Sequence, residues 1–420
     1  MKTKTRALRL SVAGAVLAAV CFGVANEAQA WVEWKRQLGT EKYDGASSVA
    51  TDAFGNIYLT GETWGSLGGL NRGSFDAWIA KYDGAGRLHW KRQLGTEMDD
   101  YVKGVASDTA GNVYLTGFTN GSLVGPNRGW ADAWVAKYEA AGTLKWKRQL
   151  GTEKSEVASG VATDPAGNVY LTGEFSSPMG GPYDAWVAKY DAAGSLKWKR
   201  QLGTKYIDYA TGVAADSAGN VYIAGGTEGS LGGPYLGAHD AWIAKYDSAG
   251  TLKWKRQLGT VDDEEARGVA TDVAGNIYLT GSTSGALGGP IRGFHDAWVA
   301  KYDAAGSLKW KRQVGTETED DDYATGVAAD SVGNVYLTGL TYGSLGGPNR
   351  GSYDAWIAKY DTAGTLKWKW QLGTEFADFA CSVATDAAGD VYLAGATDGS
   401  LGGRQLGDGD AWVVKLGPRE

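Results

Sequence analysis

The tryptophan of a "WKRQLG" motif recurs at Trp34, Trp90, Trp146, Trp198, Trp254, Trp310 and Trp368, at intervals of 52 to 58 residues. The aspartate of a "DAW" motif recurs in step, at Asp76, Asp132, Asp184, Asp240, Asp296, Asp354 and Asp410. A period of this size restricts the chain to a solenoid, a propeller or an array, and the content of one unit decides among them. In the first copy, Val, Ile, Tyr, Trp and Thr are concentrated in four short runs at 47–51, 56–62, 76–82 and 87–95. Between them, "DAFGN" and "YDGAG" are Gly-containing hairpin signals. No segment after Trp31 sustains a helical period. Four antiparallel strands per unit, repeated seven times, predict a seven-bladed all-β propeller.

The phase of the repeat predicts how the ring closes. The chain enters on a fourth strand, "WVEWKRQLGT", and its last strand is a third, "DAWVVKL" at 410–416. The first strand therefore supplies what the last blade lacks, so the two ends of the chain are expected to share one sheet and close the ring. The propeller is expected to span 31–420 as one domain.

Residues 1–30 have another layout. Lys2, Lys4, Arg6 and Arg9 precede an apolar run from Leu10 to about Val24, and Ala28-Gln29-Ala30 ends it. This is the pattern of a secretory signal peptide, with cleavage expected before Trp31; lipidation at Cys21 is the alternative, weakened by Val20 before it. Export to the periplasm or cell exterior follows. The remaining chain contains 37 basic and 47 acidic residues, a net charge of −10, which disfavours nucleic acid as a partner. It contains no apolar run long enough to span a membrane. Cys381 has no partner for an internal disulfide, and the expected state is a monomer.

The units resemble the bacterial seven-bladed β-propeller (SBBP) repeat family, whose hallmark "GVAxDxxGNVYxTGxT" followed by "DAxVxKxDxxG" matches "SVATDAFGNIYLTGET" from Ser48 and "GVATDVAGNIYLTGST" from Gly268. The strand order also resembles NHL-type propellers, which implies "GVATD" as the innermost strand and "LKWKRQLG" as the outermost. The resemblance implies a fold and carries no catalytic or binding residues with it.

Much of the repeat reads as scaffold chemistry. Asp52, Asp108, Asp164, Asp216, Asp272, Asp330 and Asp386 are expected to accept hydrogen bonds from their turns, with Gly and Asn supplying positive φ; a cation-binding ring at the channel mouth is the alternative. Fourteen of the 18 Trp fall in "DAW" or the outer strand, as inter-blade packing. In the outer strand, Leu, Trp and Arg are expected to pack while Lys, Lys and Gln face water.

The remaining signals lie outside the scaffold. Trp64 and Trp130 stand in the long connections between second and third strands, on the same face as the inter-blade loops, where recognition residues are usually displayed. Arg72, Arg128, Arg292, Arg350 and Tyr342 lie in the same connections, and Arg beside exposed aromatics suits a protein hot spot or a sugar face. These seven residues are the candidate ligand site, for a protein or glycan; simple cover of the blade tops is the competing reading. The run Asp320, Asp321, Asp322 has oxygen ligands that calcium favours, yet it lacks a spaced ligand pattern and reads first as a solvated loop. His239 and His295 sit one blade apart, too far to share zinc. Metal sites are therefore not expected from the histidines. No nucleophile elbow, HExxH, CxxC or phosphate-binding glycine loop is present, and "KYDAAGSLKWKRQLG" resembles quinoprotein propeller units only without their Thr. An exported binding or scaffold module is the first expectation; a propeller hydrolase, lyase or oxidoreductase with a site at the channel mouth is the alternative.

Overall fold

The computed structural model describes residues 31–176, 183–317 and 320–418. The signal-peptide segment lies outside the described residues. Strand β1 is Val32–Leu38. Blade 1 is then β2 (Asp44–Thr51), β3 (Ile57–Thr63), β4 (Asp76–Tyr82) and β5 (Leu88–Leu94), hydrogen-bonded in that order and antiparallel throughout. The next twenty strands repeat this arrangement in five more four-stranded sheets. The last blade holds β26 (Asp378–Thr385), β27 (Val391–Thr397) and β28 (Asp410–Leu416), and its order β1-β28-β27-β26 confirms closure by the first strand. Lys35 pairs with Val414 and Gln37 with Trp412 across that join.

Each inner strand begins three residues before the position that sequence suggests. Asp44 and Gly45 read as part of an acidic loop, but Asp44 is fully buried and pairs with Thr63. A bulge between Ala46 and Ser48, repeated at the same place in every blade, adds the twist that turns each sheet around the axis. Past the bulge the strands line a narrow central channel with small side chains, among them Ser48, Gly104, Gly160, Gly212, Gly268 and Gly326.

The core is not central; it is seven wedges between neighbouring blades. In one wedge Trp298, Ala300 and Tyr302 of blade 5 pack against Tyr222, Ala224, Ala241 and Ile243 of blade 4. The "DAW" tryptophans are the largest buried side chains of the ring, each at 0 or 1% exposure. The outer strand ties the same neighbours together with polar bonds. Trp90 Nε1 donates to the Ala140 carbonyl at 3.1 Å and Arg92 Nε to that of Gly142 at 2.9 Å, both in the "YEAAG" turn of the next blade.

Three expectations need correction. Among the described residues positive φ occurs only at glycine, such as Gly55 at 74°, while Asn56 uses its amide to donate to Asp52 at 2.8 Å. Asp52 does hold the turn, accepting from the backbone N–H of Phe54 and Asn56, both at 2.9 Å. The outer-strand Gln does not face water: Gln93 donates to Asp76 at 2.9 Å and to the Gly65 carbonyl at 3.0 Å, and accepts from Gly68 N–H. Its partner Leu is the exposed residue, Leu88 at 44%, because the sheet twists away from its neighbour at that end.

Trp31 and Trp370, which fit neither repeated position, meet at the seam. The turn that accepts from Trp and Arg in the other blades joins third and fourth strands, and blade 7 has no such turn because its fourth strand comes from the start of the chain. An arginine in blade 6 would have no carbonyl to reach. Trp370 stands there instead, with Trp31 5.5 Å away and Trp31 edge-on to Trp368 at 4.6 Å. Trp370→Arg is expected to destabilise the ring by about 1–3 kcal/mol, since it loses the aromatic contact and leaves donors over a half-buried seam. Thermal melting checks this; a variant melting at or above the parent removes the seam's role.

Candidate functional site

Strand alternation places the long second-to-third-strand connections and the inter-blade loops on one face. Buried carboxylates organise that face. Asp100, the first residue of its inner strand, accepts from Thr96 N–H at 2.5 Å and from its hydroxyl at 2.8 Å, which fixes the inter-blade loop. Asp76 accepts from Arg72 N–H at 3.0 Å, which fixes the long connection. Burial pushes the carboxyls of Asp44, Asp100 and Asp322 up, against the hydrogen bonds that pull them down. Part of the loop acidity is therefore internal structure.

On this common frame, the junction of blades 1 and 2 departs from the others. Trp64 lies 4.9 Å from Phe75 between ring centroids, Phe75 lies 5.1 Å from Tyr101, and Tyr101 stacks on Phe118 at 4.7 Å. Tyr43 approaches both Trp64 and Phe75, at 6.1 and 6.4 Å. Lys103 lies over Tyr101 and Phe118 and reaches Glu62 at 3.3 Å. Five rings thus form one shelf near the channel mouth, with a charged pair at its inner end. Sequence reading identified only Trp64; Tyr43 and Phe75 come from loop positions just before strands, Tyr101 and Phe118 from strands of blade 2, and they converge only across the blade junction.

The other candidate residues do not share one site. Arg72 lines a cleft of about 840 Å³ just outward of the shelf, with Lys147, Asn71, Thr96, Asn120 and Ser122. Arg292 and Tyr342 line an equivalent cleft between blades 5 and 6, with Lys369, where Arg292 stands 3.7 Å from Glu317. Tyr342 also packs on Tyr353 at 5.4 Å. Arg350 acts on Lys35 at the junction of blades 6 and 7. Arg128 is exposed on blade 2, and Trp130 is 86% exposed beside it.

The aspartate run divides among different partners: Asp322 is fully buried and accepts from Thr316 N–H at 2.7 Å, whereas Asp321 meets His295 Nδ1 at 2.8 Å. Among the described residues no group of three or more His, Cys, Asp or Glu is placed to hold a metal ion. His239 likewise meets Asp263 at 2.9 Å through Nδ1 and Glu228 at 3.3 Å through Nε2. These His–carboxylate pairs escape sequence reading because each joins a "HD" to the acidic loop of the following blade. Both ring nitrogens of His239 face carboxylates, a poor arrangement for a general base. Cys381 lines the channel half-buried, and desolvation there pushes its thiol up, away from the thiolate.

A family model described as an SBBP beta-propeller repeat matches residues 33–68, 89–123, 145–174, 197–232, 253–289 and 309–346. Regulatory protein FlaEY of Caulobacter vibrioides is 29% identical over 177 residues, covering 39% of this chain and 18% of that protein. An uncharacterized WD repeat-containing protein of Acanthamoeba polyphaga mimivirus is 21% identical over 435 residues, covering 76% of this chain and 31% of that one. The chain thus spans less than a third of either relative. Among solved structures, the WD40 propeller domain of Doa1 aligns with a TM-score of 0.50 at 11% identity, covering 91% of this chain and 96% of the other. Puromycin hydrolase aligns with a TM-score of 0.52 at 12% identity, covering 86% and 51%. At these identities the likeness is one of fold. Among the described residues no helix is long and apolar enough to cross a membrane.

Proposed function

The chain belongs to the SBBP beta-propeller repeat family, and from that premise we propose that it is an exported, non-catalytic binding or scaffold module which engages a protein or glycan through the loop face at the junction of blades 1 and 2. The observation that carries this reading is the shelf of Tyr43, Trp64, Phe75, Tyr101 and Phe118. Among the described residues the other loop-face ring groups reach at most the three of Tyr342, Tyr353 and Phe379, whereas this junction collects five rings beside a lysine. Trp64 keeps 45% of its surface exposed at the outer end, where a ligand ring or side chain can stack. The frame beneath it is rigid, so little ordering is needed on binding.

Export is part of the same proposal. Trp31 already belongs to the seam cluster, so cleavage after Ala30 leaves the ring whole. Mass spectrometry of the protein from its native host should give Trp31 as the first residue; a lipidated Cys21 would contradict this.

The binding reading is tested with glycan and protein arrays probed by residues 31–420. Trp64→Ala is expected to reduce capture about tenfold or more while shifting stability by less than about 1.5 kcal/mol, since the ring is half exposed. Trp130→Ala, outside the shelf, should leave capture unchanged. If Trp64→Ala loses stability and keeps capture, the shelf is packing alone. Turnover of an arrayed compound, with capture insensitive to Trp64, would favour an enzyme at the channel mouth.

A further inference from the structure

The cleft outward of the shelf holds two cations that no ion pair engages among the described residues. Lys147 rises from the outer strand of blade 2 into the junction and is half buried; burial lowers its pKa, and Arg72 from the loop of blade 1 lowers it further. The carboxylate that acts on it, Asp100, is fully buried and already taken by Thr96. Among the described residues, neither the Arg72 guanidinium nor the Lys147 ammonium makes a hydrogen bond or ion pair; Arg72 is held only through its backbone N–H. Glu97, an exposed carboxylate, also lines the cleft but forms no ion pair with either cation. Around the two cations stand the amides of Asn71 and Asn120 and the hydroxyls of Thr96 and Ser122.

We propose that this cleft binds the carboxylate or sulfate group of an acidic glycan whose neighbouring sugar lies on the Trp64 shelf. An oxyanion between Arg72 and Lys147 removes the like-charge repulsion and receives planar donors from one side and a point charge from the other. Thr96 and Asn71 spend their donors on the loop itself, on Asp100 and on the Trp64 and Gly73 carbonyls, which leaves the Asn120 amide and the Ser122 hydroxyl to meet the hydroxyl groups of a sugar. The pairing recurs: Arg292 acts on Lys369, and Arg350 on Lys35, at the junctions of blades 5 and 6 and of blades 6 and 7. Of these, the cleft between blades 5 and 6 already holds Glu317 3.7 Å from Arg292, so the junction of blades 1 and 2 is the one where the cations of a lined cleft stand unpaired. An acidic peptide would also neutralise the pair, but it calls for apolar side-chain pockets, and here these reduce to Leu70, Met98 and the buried Leu123.

The inference rests on the loop face being the binding surface, and the test separates the two. Titration calorimetry with residues 31–420 compares an oligogalacturonate, a sulfated glucan oligomer, a neutral galactan oligomer of equal length, poly-glutamate and inorganic sulfate. At least one acidic glycan should bind, more weakly as salt rises, with no binding of the neutral oligomer. The double variant Arg72→Ala, Lys147→Met should weaken it about tenfold or more, and Arg72→Lys should restore part of that loss. Neither side chain bonds to the frame, so the melting temperature should stay within a few degrees of the parent. Unchanged affinity in the double variant overturns the cleft, and tighter binding of poly-glutamate overturns the glycan. Capture of a neutral ligand that depends on Trp64 and ignores Arg72 and Lys147 overturns this inference and keeps the binding reading. Failure of acidic glycans here, together with no capture on the arrays, ends both.

Discussion

Deletion of residues 31–39 is expected to abolish the folded ring. Without β1, the edge of β28 lies open along the register from Leu416 to Ala411, an exposed strand that invites pairing with other chains. Gln37 leaves with it, and the fully buried Asp410 loses its 2.7 Å donor while the N–H groups of Gly402 and Gly403 lose their acceptor. The ties of blade 7 to blade 1 also go, from Trp34 Nε1 to the Gly84 carbonyl at 3.0 Å and from Arg36 Nε to that of Gly86 at 2.7 Å. A loss of more than about 5 kcal/mol is a large part of what a domain has to lose. The truncated chain should aggregate, or melt more than about 10 °C below the parent in a thermal scan. A parent-like melt would mean that the ring closes by some other contact.

Trp298→Ala is the second large effect. Its indole is fully buried between blades 4 and 5, and its Nε1 donates to the Ser282 carbonyl at 2.9 Å. Truncation leaves a cavity among close-packed neighbours, Tyr222, Tyr302 and Ile243, which can collapse only in part, and costs about 3–5 kcal/mol. Urea unfolding of Trp298→Ala beside Trp130→Ala measures the contrast: a large fall in midpoint for the first and a change within about 0.5 kcal/mol for the second. Equal falls would mean that the exposed tryptophan is also part of the packing.

The fold was legible because its signals are local and repeated. Alternation in "NIYLTGE", the turn at "DAFGN" and the missing fourth strand after "DAWVVKL" needed no knowledge of distant contacts. What escaped notice depends on neighbours. Asp44 reads as a loop acid because nothing nearby in sequence announces that Thr40 and Thr63 satisfy it. Gln93 reads as a wet residue because its partners Asp76 and Gly65 lie 17 and 28 residues away. Trp31 and Trp370 looked like two unrelated exceptions until the split blade brought them together. The candidate site divides the same way. Position in the long connections marked Trp64 and Arg72 as loop-face residues; Phe75 ends the same connection without standing out in it, while Tyr101, Phe118 and Lys147 occupy strand positions that only become a surface across the junction.

The account assigns the shared repeat to the scaffold and recognition to the one junction that departs from it. Rewriting that junction with residues found at the same positions in other blades tests this directly: Trp64→Ser as at Ser284, Phe75→His as at His295, Lys103→Thr as at Thr325 and Phe118→Ser as at Ser282. The combined variant should melt within a few degrees of the parent, because every replacement is already accommodated by the same frame, and should lose capture of whatever the parent retains on the glycan and protein arrays. Capture that survives the rewriting, or a parent that captures nothing, would contradict the account.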